Sequence, residues 1–117
     1  MDLSTSRRER RLKHDYVGEG MSAAHLRYKP IKIIQFEICR SWLNDNKDCL
    51  VAQAMFVDKE TGEVKKVTIW TESYSLIKTI RGTEDSLPHY TKIIRKRDGY
   101  YYFVKLNDIE KSTLLNI

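Results

Sequence analysis

The sequence predicts a small, mainly β protein in which five strands and one helix form a Greek-key barrel. Apolar and polar residues alternate in short runs between positions 31 and 106, as they do in half-buried strands. A single run with apolar residues at helical spacing interrupts this pattern after the third strand. The chain has 117 residues, which is enough for one domain with a modest hydrophobic core.

The first two strands are predicted before and after a polar turn. The run IKIIQFEICRSW, residues 31–42, alternates between apolar and polar side chains, which predicts a half-buried strand. Its inner face would carry Ile34, Phe36 and Ile38. The run CLVAQAMFV, residues 49–57, is apolar on both faces and therefore predicts an interior strand.

A second turn leads into the third strand. The segment DKETGE places Gly62 where a hairpin requires a positive φ angle. In the strand VKKVTIW that follows, Val67 and Ile69 would face the core. The outer face of this strand would present Lys66, Thr68 and Trp70.

The helix is predicted in TESYSLIKTIRG, residues 71–82, where the apolar period changes from two residues to that of a helix. Thr71 or Ser73 would cap its N-terminus, because both side chains can accept a backbone N–H bond. Gly82 would end it, because glycine adopts the left-handed conformation found after helix C-termini.

The last two strands are predicted as a hairpin in the segment KIIRKRDGYYYFVKL, which begins at Lys92. The Asp-Gly pair at 98–99 is a strong signal for a two-residue turn. Such a turn would place Arg97 opposite Tyr100, so that cations face aromatic side chains along the hairpin.

This register assigns the two faces of the hairpin. The face with Ile93 and Val104 is more apolar at its base, so we assign it to the core. The other face would then expose Phe103 between Lys92 and Lys105, an arrangement that costs free energy unless a ligand binds there. Phosphates on the lysines and a base stacked on the ring would remove both costs. A β-bulge would reverse the two faces.

Charge and composition divide the chain into a basic N-terminal arm with a linker, residues 1–30, and a barrel domain, residues 31–117. The net charge is +5, and the run RRERRLK lies in the arm, which favours a polyanionic partner. The C-terminal tail predicts a short helix that docks through Ile109 and Leu114.

The chain has neither a secretory signal nor a run of apolar residues long enough to span a membrane. We therefore expect a cytoplasmic protein. Cys39 and Cys49 would be reduced thiols that face each other across the first hairpin.

Five strands with a helix between the third and the fourth are the layout of the OB-fold, a small barrel that binds oligonucleotides. In this element order and in the basic-aromatic hairpin, residues 31–106 resemble the compact OB-fold single-stranded-DNA-binding proteins of bacteriophages and mobile elements. The resemblance implies sequence-tolerant binding of single-stranded DNA during replication or recombination, with replication or recombination proteins as further partners. Bacterial members of the wider family end in an acidic recruiting tail, which IEKSTLLNI is not.

The predicted interface combines lysines and arginines that would contact phosphate with aromatic rings that would stack on bases. Trp70, beside Lys66, would offer a second stacking platform, and Trp42 a third. We predict no catalytic residue, metal site or cofactor. The predicted interface residues are Trp42, Lys66, Trp70, Lys92, Arg95, Lys96, Arg97, Tyr100, Tyr101, Tyr102, Phe103 and Lys105.

Three other functions match parts of the sequence. The barrel could dock on a polymerase, primase or helicase without binding DNA, or it could bind RNA, because stacking does not distinguish the sugar. A metal-dependent nuclease is suggested by EVK, residues 63–65, with Asp48 or Asp58 as the preceding acid. Asp48 would lie too far along its strand from Glu63 to share a metal ion. Asp58 would instead pair with Lys65, so we predict that the chain is not an enzyme.

Overall fold

The structure of the protein, a computed structural model, describes residues 12–41 and 46–117. Within these residues the fold is mainly β, as predicted, with one six-stranded sheet and two short α-helices. The strands are β1 (Glu19–Ser22), β2 (Ile31–Arg40), β3 (Asp48–Val57), β4 (Val64–Thr71), β5 (His89–Arg95) and β6 (Tyr101–Lys105). The helices are α1 (Tyr74–Ile80) and α2 (Asp108–Ser112), and 3₁₀ turns occupy Ala23–Leu26 and Glu84–Ser86.

The sheet has the strand order β1-β4-β3-β2-β5-β6 and curls into a half-barrel. Strands β2, β3 and β4 are consecutive antiparallel neighbours, and β5 returns to pair with β2. A fourth strand that returns to lie beside the first of three is the Greek-key arrangement. The predicted connectivity of these strands is therefore present.

The number of strands and the position of the helix in the strand order differ from the prediction. Strand β1 comes from the segment that the sequence assigns to the linker, so there are six strands in the described residues and α1 follows the fourth. Strand β1 pairs in parallel with β4, from Glu19 opposite Val67 to Ser22 opposite Trp70. It thereby satisfies backbone groups that β4 would otherwise expose as an edge strand.

A bulge in β2 corrects the predicted inner face of that strand. The register against β3 shifts between Ile33 and Gln35, which inserts one extra residue. Both Ile33 and Phe36 consequently point into the core, with 0% and 4% of their surface exposed, although two residues separate them. Ile34, predicted to be internal, is only half-buried, whereas Ile38 packs against the core as predicted.

Strands β3 and β4 agree with the sequence prediction. Leu50 on one face of β3 and Val51 on the other are both buried, as expected of an interior strand. In β4, Val67 and Ile69 are buried, and Gly62 in the preceding turn has a φ angle of +74°.

Residues 13–18 form a segment, the N-terminal strap, that crosses the outer face of the sheet before β1. Gln53 in β3 is 2% exposed and holds this strap through its side-chain amide. Its Oε1 accepts the Val17 N–H at 2.7 Å, and its Nε2 donates to the carbonyls of Val17 at 2.7 Å and Val67 at 2.9 Å. Gly18 then passes so close to β4 that a Cβ atom would lie 2.0 Å from the Lys66 carbonyl oxygen.

The segment after β1 completes the core. Ala23 and Leu26 in the first 3₁₀ turn are each 1% exposed and belong to the same cluster as the strand residues. Residues 19–30, which the sequence assigns to the arm and linker, therefore contribute a strand and core side chains to the sheet.

The helices begin and end close to their predicted positions. Ser73 caps α1 by accepting the Leu76 N–H, and Gly82 follows the helix with a φ angle of +83°. A capping box formed by Asn107 and Glu110 starts α2, after which Leu114 is buried. Ile109 is 80% exposed, so its predicted docking role is wrong, because the first turn of α2 points it to solvent. Neither helix, nor any other in the described residues, is long and apolar enough to cross a membrane.

Candidate nucleic-acid interface

The turn between β5 and β6 differs from the predicted two-residue turn by one residue. Ile93 lies opposite Phe103, and the Lys96 N–H donates to the Tyr100 carbonyl at 3.1 Å, which leaves a three-residue loop. Gly99 adopts a φ angle of +88° and donates its N–H to the Lys96 carbonyl at 2.9 Å. This arrangement is a turn followed by a glycine bulge, which is the common alternative to the two-residue hairpin.

The bulge reverses the predicted faces of β6. Phe103 shares the inner face with Ile93 and packs against the core together with Tyr101. Tyr102 and Val104 lie on the outer face instead. The predicted role of Phe103 as an exposed stacking platform framed by two lysines is therefore incompatible with its position.

The predicted opposition of Lys92 and Lys105 is also wrong. Lys105 lies opposite Thr91 and is exposed. Lys92 forms a salt bridge of 2.7 Å with Glu110 in α2, in which both side chains are about three-quarters buried. The hydrogen bond from Lys92 holds the pKa of Glu110 below its usual value, so this lysine is already neutralised within the chain.

The end of the hairpin presents a group of exposed cations and aromatic rings. Arg95 lies 5.9 Å from the centre of the Tyr101 ring, and Lys96 lies 4.4 Å from that of Tyr102. Arg97 is exposed in the turn. Tyr100 is 62% exposed. None of these three cations forms a salt bridge within the described residues, so their charge is available to an anionic ligand.

Asp98 fixes the conformation of this turn. Its carboxylate accepts a hydrogen bond from the Tyr102 hydroxyl at 2.6 Å and another from the Tyr100 N–H at 2.9 Å. These two bonds, the first being the larger cause, hold the pKa of Asp98 below its usual value. The turn thus carries its own acid, which accepts hydrogen bonds from within the loop and forms no salt bridge with Arg95 or Arg97.

Replacing Tyr102 with phenylalanine is expected to raise the pKa of Asp98 towards its ordinary value of about 3.9. Because the folded-state pKa is depressed, the carboxylate stabilises the hairpin above the unfolded-state pKa, and this contribution disappears as pH falls through the folded value. A carboxyl-carbon NMR titration of both proteins measures the shift. An identical Asp98 titration in the two proteins would show that the hydroxyl does not hold the carboxylate.

A second exposed aromatic residue, Tyr28, lies beside the hairpin and was missed from the sequence. It is 61% exposed and has a φ angle of +64°, which is rare for a bulky residue. Its N–H donates to the Ile93 carbonyl at 2.7 Å, and its hydroxyl lies 3.5 Å from the Arg95 carbonyl oxygen. Arg27 and Lys29 flank it. The motif Arg-Tyr-Lys has the same basic-aromatic composition as the hairpin. This composition could have identified Tyr28 as a candidate contact residue from the sequence.

We call Tyr28, Arg95, Lys96, Arg97 and Tyr100 the tip cluster. The contacts of Tyr28 with β5 place its ring next to the hairpin turn, although 67 positions separate Tyr28 from Arg95 in the chain. The cluster therefore joins two exposed rings and three cations on one end of the sheet. Such a combination of rings and unpaired cations is typical of surfaces that hold single-stranded nucleic acid.

The other predicted platforms lie apart from the tip cluster. Lys66 and Trp70 are exposed on the outer face of β4, with Trp70 40% exposed. Strands β3 and β2 separate β4 from β5, a distance along the sheet of three interstrand spacings of about 4.8 Å. Trp42 lies outside the described residues.

The N-terminal strap occupies part of the outer face between these two regions. Glu37 in β2 accepts the backbone N–H groups of Lys13 at 2.8 Å and His14 at 3.0 Å, and the Tyr16 hydroxyl at 3.2 Å. Desolvation by burial, followed by the nearby Glu37 carboxylate, raises the pKa of Tyr16. A ligand that reached continuously from Trp70 to the hairpin would have to pass over or displace the strap.

No protein-family model matches the sequence, and no curated protein or solved structure is significantly similar to it. The resemblance to single-stranded-DNA-binding proteins therefore stays a prediction.

The residues behind the nuclease alternative form ordinary pairs. Asp58 lies 3.5 Å from Lys65, which is the cross-strand pair that the sequence predicts. Asp48, at the other end of β3, pairs with Arg40 at 3.7 Å and Arg81 at 3.1 Å. No group of three or more metal-binding side chains occurs among residues 12–41 and 46–117.

The two cysteines face each other as predicted, in the β2–β3 register. Both are free thiols. Burial raises the pKa of Cys39, and burial together with Cys39 raises that of Cys49 to about 11. Both thiols are therefore protonated at neutral pH, which lowers their reactivity as nucleophiles.

Proposed function

We propose that this protein binds single-stranded DNA with little sequence preference and that the tip cluster is its principal contact surface. The observation that carries the proposal is the pair of exposed rings, Tyr28 and Tyr100, beside three cations that form no salt bridge with any described residue. Stacking of a base on an aromatic ring contributes about 1–3 kcal/mol and does not depend on base identity. Cations beside the rings would contact the phosphates, which also carry no sequence information.

The topology supports the same proposal. Strands β2–β6, with α1 between β4 and β5, have the order of an OB-fold, and we propose that they form an OB-fold-like barrel. OB-folds contact oligonucleotides through the second and third strands and through the loops that follow strands 1 and 4. In this chain the second of these loops is the turn between β5 and β6, and the first is the connection between β2 and β3. The protein would protect or present the strand during replication or recombination.

The proposal is tested by fluorescence anisotropy with labelled single-stranded DNA, single-stranded RNA and duplex DNA of equal length, each at two salt concentrations. We expect binding to single-stranded DNA, weaker binding to the duplex, and similar affinities for thymine-rich and mixed sequences. Three phosphate contacts would give a log–log salt slope of about −2 on a single strand. Tighter binding of RNA would contradict the DNA preference, and the absence of oligonucleotide binding would favour a module that docks on another protein.

A further inference from the structure

A cavity of about 360 Å³ lies between α1, β5 and β6. Ile33, Ile80, Phe103 and Leu106 form apolar parts of its wall. This volume is at the lower end of the range for small-molecule sites, so the cavity has the size for a group such as one nucleotide. Phe103, which the sequence assigns to an exposed surface, is thus half-buried at the cavity wall.

The charge of the cavity is positive. Lys105 and Lys111 contribute to its lining, and no aspartate or glutamate does. Within the described residues neither lysine forms a salt bridge, although Lys111 lies 5.5 Å from the centre of the Tyr90 ring. Two cations without a salt bridge among the described residues, beside apolar side chains, complement a ligand that combines a flat apolar body with an anionic group.

The hydrogen bonds of His89 leave an acceptor on its ring. The Thr83 hydroxyl donates to the Ile80 carbonyl at 2.6 Å, which uses its one proton. The His89 Nε2 atom, 2.8 Å from the same hydroxyl, must therefore be the donor in that contact. In the neutral imidazole the Nδ1 atom is then an acceptor, which is the complement of a base N–H group.

We propose that this cavity binds the 5′-phosphorylated terminal nucleotide of a single strand, with the phosphate on Lys105 and Lys111 and the base against the rings of Phe103 and His89. This inference rests on the proposed function, because the cavity adjoins the same hairpin. Phe103 and Lys105 follow Tyr101 at alternate positions on the inner face of β6. A single strand that leaves the tip cluster alongside β6 would reach the cavity at its far end, where Phe103 and Lys105 line it.

Isothermal titration calorimetry with thymidine 5′-monophosphate, thymidine and inorganic phosphate tests the site directly. We expect thymidine 5′-monophosphate to bind more tightly than thymidine or inorganic phosphate. Lys111→Gln should weaken its binding about tenfold, as expected for the loss of one charge-assisted contact. Lys78→Gln, which removes an equal charge from the exposed face of α1, is the matched control and should leave the affinity unchanged. Thr79→Trp, at the cavity wall, should block binding.

A second arm compares oligothymidylates with and without a 5′-phosphate. We expect the phosphate to increase affinity in the wild type but not in Lys111→Gln. Equal affinities, while both oligonucleotides still bind, would overturn the strand-end site and leave the proposed function intact. Monophosphate binding without any oligonucleotide binding would instead overturn the proposed function and make the cavity a site for free nucleotides. No monophosphate binding, or an equal loss in Lys78→Gln, would overturn the site itself.

Discussion

Replacing Tyr100 or Tyr28 with alanine is expected to weaken single-stranded DNA binding by about 1–3 kcal/mol each, or roughly 5- to 150-fold. Both rings are more than half exposed, so little folding free energy depends on them. The salt slope should change little, because a stacked ring neutralises no phosphate. Anisotropy titrations at two salt concentrations measure both quantities for each variant.

Tyr74 provides the matched control for these substitutions. It is 75% exposed but lies on α1 and outside the tip cluster, in a groove whose lining includes the salt bridge of 3.1 Å between Asp48 and Arg81. Tyr74→Ala should bind single-stranded DNA like the wild type. If all three alanine variants lose the same affinity, or if Tyr28 and Tyr100 lose none, the tip cluster is not the contact surface.

Replacing Leu26 with alanine is expected to lower the free energy of unfolding by about 2–5 kcal/mol. The side chain is 1% exposed and packs in the common core, although it precedes the predicted barrel domain. Removing three carbon atoms there leaves a cavity that the surrounding strands can fill only in part. Urea unfolding at constant protein concentration measures the change.

Leu115→Ala is the control for this stability measurement, because the same chemical change occurs at a leucine that is 54% exposed. Its effect should stay within about 0.5 kcal/mol, as is usual for surface substitutions. Equal effects at Leu26 and Leu115 would contradict the placement of the segment after β1 in the core. Stability would then depend on residues 31–117 alone.

The sequence predicts the order of strands β2–β6 well, because that order follows from local periodicity and from glycine turns. Gly62 and Gly82 stand at positive φ angles where the pattern requires them. The inward positions of Val67 and Ile69 follow from simple alternation along β4. These features depend on neighbouring residues alone, which is why they can be read from the chain.

Most errors in the prediction come from single-residue shifts or from long-range pairing. An extra residue between Ile33 and Phe36 leaves the composition of β2 unchanged but moves Ile34 away from the core. At the hairpin, Asp98-Gly99 suits a two-residue or a three-residue loop, and the choice between them decides where Phe103 points. Periodicity does not contain this information, because a shift of one residue exchanges the two faces of a strand.

The sequence predicts only those residues of the candidate site that are neighbours in the chain. The basic and aromatic residues of the turn were identified because they are adjacent in the chain. Tyr28 was missed because its proximity to Arg95 depends on a contact across 67 positions. The pairing of Lys92 with Glu110 likewise joins a strand to a tail helix, and it turns a predicted phosphate ligand into a structural residue.

The measurement that tests the central claim most directly is residue-resolved mapping of the bound strand. Uniformly ¹⁵N-labelled protein is titrated with an unphosphorylated oligothymidylate, and amide chemical-shift changes are recorded at each step. We expect the largest changes at Tyr28 and across residues 95–100, with the amides near Tyr74 unchanged. Changes confined to the outer face of β4 around Lys66 and Trp70, with the tip cluster unaffected, would contradict this claim.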